Sequence, residues 1–328
     1  MRKRIFGLLS LVVFSLFGLV GCKSEKTEIV STCYVGYDFS SNISKDLMSS
    51  SMLLKPGEEL HDFSPSLSDI EKVLASKLFI YVGGESDEEW VEKQILPLID
   101  KEKTQVISLM EVVTSKGTSY EEEDPESSFS EEEHDHDHED EEHEEEGPEL
   151  DEHVWNSISN AKLIAEEIYD KLALIDEANK DKYKENKDNL VKELNDLDSE
   201  IKDIVSKANK KTIIFADRFP LLYFVKEYKL EYDAAFKGCE SAKEANPKTI
   251  ESLIKKVVDN DIKVIFVIEL SESKIANKVK EGVESEGKEV SIETFYTMHN
   301  VSKNDYEKGT SYVDFMKKNI EVLKTALR

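Results

Sequence analysis

The chain holds seven histidines, and their spacing is uneven. Five fall in one acidic stretch, at His134, His136, His138, His143 and His153, while His61 and His299 stand apart in the two halves of the sequence. Imidazole is the commonest side-chain ligand for borderline divalent metals, and short His-rich tracts gather such ions. Asp217 and Glu269 add two carboxylates, each just beyond an apolar run that reads as a strand. Imidazoles with a carboxylate make a donor set for a transition metal, so the chemistry to expect is coordination. The sequence has no His-Glu-x-x-His helix, no Gly-x-Ser-x-Gly elbow and no phosphate-binding glycine loop. A hydrolytic reading therefore lacks its usual machinery.

The N-terminus bears on where this chemistry takes place. Met1-Arg2-Lys3-Arg4 is a basic head, Ile5 to Val20 an apolar run, and residues 1–21 together read as a secretory signal. Leu19-Val20-Gly21-Cys22 looks like a bacterial lipobox. It implies cleavage before Cys22, acylation of that thiol, and anchoring to membrane lipid on the extracytoplasmic face of the bacterial cell membrane. Two further thiols, Cys33 and Cys239, remain, and the sequence leaves open whether they pair. The net charge of −27 is local: residues 121–152 carry 20 carboxylates and no Lys or Arg. The rest of the chain is Lys-rich and nearly balanced, which argues against nucleic acid as a partner.

The elements that would position these donors alternate between strand and helix. In residues 22–113 the spacing predicts strands over 28–35, 52–54, 77–82 and 105–110, with helices over 67–75 and 90–99. Residues 114–150 lose all periodicity; so polar a segment cannot offset its ordering entropy and reads as a disordered acidic, His-rich loop. Residues 151–210 read as a linker helix, free of Gly and Pro from Trp155 onward. Trp155, Ile158, Ala165, Ile168, Leu172 and Ile175 form one apolar stripe, and Leu190, Leu194, Leu197, Ile201 and Ile204 a second. The polar gap between the stripes allows either a turn or one long exposed helix. Residues 211–328 repeat the strand–helix pattern and close with a helix over 306–327. The expected fold is α/β: two lobes with parallel-sheet cores joined by a long linker helix. Ligands of open parallel sheets bind beyond the carboxyl ends of the strands, which puts the metal site in the interlobe cleft.

At this level the chain resembles the substrate-binding lipoproteins of zinc and manganese ABC importers. Leu60-His61-Asp62-Phe63-Ser64-Pro65-Ser66 is similar to that family's first ligand motif, and Lys77 to Gly84 to its next strand. The acidic His-rich loop followed by Asp151-Glu152-His153-Val154-Trp155 resembles the second motif, usually Asp-Pro-His-x-Trp. Tyr228-Lys229-Leu230 resembles a Tyr-Gly-Leu segment. One departure stands out. The third His of zinc-type members falls on Ala216 or Arg218 here, so Asp217 and His299 become the candidate replacements. The resemblance implies a monomeric receptor that captures Zn²⁺, or alternatively Mn²⁺, and delivers it to a membrane ABC permease. Its metal donors would be His61, His153, His299, Asp217 and Glu269, with His134, His136, His138 and His143 as an auxiliary set. A metal-dependent surface adhesin and a zinc metallohydrolase are the rival readings.

Overall fold

Short strands, each followed by a helix, build the first sheet. In chain order they are β1 (Ile29–Ser31), α1 (Tyr34–Ser44), β2 (Ser50–Met52), α2 (Leu67–Leu74), β3 (Leu78–Tyr81), the single turn α3 (Glu85–Asp87), β4 (Gln105–Ser108) and α4 (Leu109–Ser115). A π-helical stretch, Glu88–Ile95, follows α3. The strands are parallel in the order β2-β1-β3-β4, with Val30 opposite Phe79 and Phe79 opposite Val106. Every residue of β3 is buried, because helices cover both faces of the sheet. The computed structural model describes residues 27–58, 63–121, 150–236, 238 and 246–328. The signal segment with Cys22, the ligand candidate His61, the loop histidines His134, His136, His138 and His143, and Cys239 lie outside the described residues.

The second lobe has the same design. After α5 (Ile158–Ile175) and α6 (Lys180–Lys207) come β5 (Thr212–Phe215), α7 (Leu222–Tyr228), β6 (Glu231–Ala234), α8 (Pro247–Asp259), β7 (Val264–Ile268), α9 (Lys274–Ser285), β8 (Ser291–Phe295), α10 (Lys303–Glu307) and α11 (Tyr312–Ala326). Its strands are also parallel, in the order β6-β5-β7-β8. Among the described residues no helix is long and apolar enough to cross a membrane.

The linker is two helices rather than one. Asp176 leaves the helical region at φ −142°, ψ 73°. Its carboxylate accepts from Asn179 Nδ2 at 2.7 Å and Tyr183 Oη at 2.9 Å, which fixes the turn into α6. The 28 residues of α6 span about 42 Å. They pack against α5, against α1 of the first lobe and against α11 of the second. The buried face of α6 runs through Tyr183, Leu190, Leu194, Leu197, Ile201 and Val205. Val205 joins this face, and the expected Ile204 packs against the same core half-buried. Each such side chain contributes about 1.5–3 kcal/mol by burial. These residues join Phe39, Trp155, Phe215 and Tyr312 in one core that runs through both lobes.

Three local expectations change. The predicted strand over 28–35 stops at Ser31, and α1 begins at Tyr34 with Cys33 as its extended N-cap residue. The predicted strand over 105–110 stops at Ser108, whose hydroxyl caps α4 by accepting from Glu111 N. The closing helix divides at Gly309, φ +65°, and restarts with the Ser311–Asp314 capping box of α11.

Candidate metal site

Segment 150–157 is the seam between the lobes, and its hydrogen bonds run to both. On the first-lobe side, Asp151 N donates to Glu121 O at 2.9 Å. The Glu152 carboxylate accepts from Ser86 N at 2.8 Å and from the Ser86 hydroxyl. Gly84, at φ +91°, makes this approach possible, since a Cβ there would overlap the Glu152 carboxylate. On the second-lobe side, Trp155 Nε1 donates to Thr297 O at 2.8 Å and Asn156 Nδ2 to Pro220 O at 2.8 Å. Tyr312 Oη donates to Trp155 O at 2.7 Å. A segment held this tightly carries His153 as a fixed point.

Asp151 sets the direction of that histidine. Its Oδ1 lies 2.8 Å from both His153 N and His153 Nδ1, while its Oδ2 accepts from Leu222 N of α7 at 3.1 Å. A carboxylate on Nδ1 selects the tautomer whose Nε2 presents a lone pair, the arrangement common behind metal-bound imidazoles. That Nε2 faces His299 Nδ1 at 2.7 Å, with the rings 5.0 Å apart between centroids. The two histidines are 2% and 4% exposed, and the His153 ring also meets Trp155 edge-on at 5.3 Å. A tetrahedral zinc at about 2.05 Å from both nitrogens sets them about 3.3 Å apart. Admitting the ion therefore asks the rings to part by roughly 0.6 Å and the proton between the two nitrogens to leave for solvent or the other ring nitrogen of His299.

His299 is held from behind. The Glu269 carboxylate, at the end of β7, accepts from Thr297 N at 2.7 Å, Thr297 Oγ1 at 2.8 Å and His299 N at 3.0 Å. Burial pushes its pKa up, and these three donors pull the other way. Asp217, beyond β5, turns its carboxylate to Arg218 N at 2.8 Å and Ile268 N at 3.4 Å. The structure thus brings the His153 and His299 imidazoles together, with Glu269 against the His299 backbone, while Asp217 braces the ends of neighbouring strands. Among the described residues no group of three or more His, Cys, Asp or Glu side chains is gathered closely enough to hold a metal.

The described residues on either side of His61 are tied down. Asn300 Nδ2, next to His299, donates to Lys55 O at 3.1 Å and to Glu58 O. Phe63 packs edge-on against Trp90 at 5.2 Å, and Ser66 with Asp69 forms the capping box of α2. Sequence spacing alone assigns no role to Asp151 or Thr297. A carboxylate two residues before a candidate ligand is a signal for the first of these, whereas a threonine in a loop 142 residues from Trp155 gives none.

Fold and donors together define a two-lobed α/β binding protein with an imidazole pair in its interlobe seam. The family model described as zinc-uptake complex component A, periplasmic, matches residues 29–326, and the chain belongs to that family. It is thereby a transport component rather than an enzyme. The high-affinity zinc uptake system protein ZnuA of Bacillus subtilis is 30% identical over 310 residues, covering 94% of this chain and 90% of that protein. The zinc-binding protein AdcA of Streptococcus pyogenes is 28% identical over 333 residues, 99% of this chain. The chain spans 61% of AdcA's length. Among solved structures, the metal-dependent lipoprotein YcdH of Bacillus subtilis superposes with a TM-score of 0.72 at 25% identity, covering 92% of this chain and all of that one.

Proposed function

We propose that this chain is an extracytoplasmic receptor that captures Zn²⁺ in the seam between its lobes and delivers it to a membrane ABC permease. The observation that carries the reading is the buried approach of His153 Nε2 to His299 Nδ1 at 2.7 Å, one imidazole from the seam and one from the second lobe. His61 is the third imidazole, on the strength of its Leu60-His61-Asp62-Phe63-Ser64-Pro65-Ser66 motif. Lipidation at Cys22 tethers the domain to the membrane, in keeping with the lipoprotein name of the Bacillus subtilis neighbour. The acidic insert with His134, His136, His138 and His143 collects metal weakly around the tight site.

Zinc is favoured over manganese by the state of the carboxylates. Asp217 and Glu269 both spend their oxygens on backbone amides, which leaves nitrogen as the dominant donor. Manganese prefers oxygen-rich sites, whereas zinc is satisfied by imidazole. Competition between the two ions on purified protein tests the choice, and a preference for manganese overturns it. Growth of a deletion strain restored by added zinc supports import; a strain whose growth is indifferent to zinc contradicts it.

A further inference from the structure

We propose that Glu269 is the positioning residue for His299: its carboxylate fills a nest of backbone amides and so fixes where the imidazole stands. The inference rests on the reading of His299 as a zinc donor. Three observations carry it. The amides of Thr297 and His299 converge on one carboxylate, at 2.7 and 3.0 Å, and the Thr297 hydroxyl joins them at 2.8 Å. Met298, between the two amides, is 1% exposed and left-handed at φ +57°. A left-handed residue between two amides turns both N–H groups to one side, the geometry of an anion-binding nest. Methionine adopts this conformation only where its surroundings impose it.

Glu269 is itself anchored. It directly follows β7, whose last residue Ile268 stands opposite Phe295 of β8 in the parallel register. The loop 297–299 therefore leaves one strand and is pinned by a carboxylate from the next. Both Glu269 oxygens are engaged by these donors, Oε1 by two and Oε2 by one. A glutamine in its place has one acceptor oxygen, and its amide group would face an N–H rather than receive it. The loop would be held less firmly, and His299 Nδ1 would be fixed less closely opposite His153.

The test is a double-mutant cycle of zinc affinity on the full chain, read by chelator competition. Glu269→Gln should weaken zinc binding about 10- to 100-fold with unchanged far-ultraviolet circular dichroism, as supporting groups behind metal ligands do. In the His299→Ala background the same change should cost less than about twofold, because a positioning residue acts only through the group it holds. X-ray absorption of zinc-loaded Glu269→Gln should count the same nitrogen and oxygen neighbours as the parent. Additive losses, an unaltered affinity in Glu269→Gln, or the loss of one oxygen neighbour each overturn the proposal. If His299→Ala binds zinc as the parent does, the zinc-site reading falls and takes this inference with it. Thr297→Val, which keeps the carboxylate and removes one donor, serves if Glu269→Gln fails to fold. It should weaken binding roughly 3- to 10-fold and be silent without His299.

Discussion

Trp155 Nε1 donates to Thr297 O across 2.8 Å, which ties the residue two after His153 to the residue two before His299. The bond crosses from the seam to the second lobe in a fully buried position. Two imidazoles from distant parts of the sequence can be held within 2.7 Å only if their backbones are registered, and this pair does the registering.

Trp155→Phe keeps most of the aromatic volume and removes the donor. Thr297 O is then buried without that partner, at a cost of about 1–3 kcal/mol. Urea unfolding should report that loss, and zinc affinity should fall with it. A variant as stable as the parent would show that the bond registers nothing.

Asp38 should make stability depend on pH at the other lobe contact. Its carboxylate is buried between α1 and α11 and accepts from Tyr312 N at 3.1 Å, with Asn42 as a second donor. Burial, with Asp314 nearby, pushes its pKa from 3.8 to about 7, so the folded state holds a proton that the unfolded state releases. The stability contributed is full below pH 4 and is lost as pH rises through 7. Asp38→Asn keeps an acceptor and cannot ionise. Its stability relative to the parent should therefore rise from pH 5 to pH 8, by on the order of a few kcal/mol. Paired melts across that range check this, and a constant difference would contradict it.

Lys229 occupies a left-handed position, φ +54°, at the C-terminus of α7, where the resembling segment of the family carries glycine. A side chain there costs more than glycine's extra chain entropy returns. Lys229→Gly should stabilise the protein by about 0.5–1 kcal/mol with no effect on zinc. Chemical denaturation measures the gain, and a loss would mean that the lysine stem packs usefully.

Much of this design is legible in the sequence because its signals are local. The strands around Phe79 and Phe266 are apolar runs between breakers, and His153 sits between an acidic tract and a helix start. Two helices escaped because β1 and β4 have only three and four residues, too few to show where the strand period ends. The break at Asp176 depends on a side chain reaching back from Tyr183, and hydrophobic spacing does not reveal such bonds. The role of Glu269 also lies beyond sequence. A carboxylate ending a buried strand reads equally well as a ligand or as a brace, and only the amides of Thr297 and His299 separate the two.

Zinc affinity should fall steeply between pH 7.5 and 5.5. Coordinating imidazoles must be neutral, their reference pKa is about 6.5, and each ligand admits roughly one competing proton. Two or three histidine donors give a correspondingly steep slope. An affinity that stays flat over this range would mean that the tight site is built from other groups.

The central claim is that His153 and His299 hold the tight zinc ion, and the neck of the acidic insert offers a clean test. Asp151 N meets Glu121 O at 2.9 Å, so the chain on either side of residues 122–149 is already adjacent. A short Gly-Ser bridge can replace those residues without straining either lobe. Zinc competition titrations on this shortened protein, and on its His153→Ala and His299→Ala variants, read the tight site without the loop histidines. The account predicts one tight equivalent in the shortened parent and an affinity lower by more than about 100-fold in each variant, beyond what loss of a supporting group alone produces. A tight equivalent that vanishes with the insert, or that survives both substitutions, would contradict it.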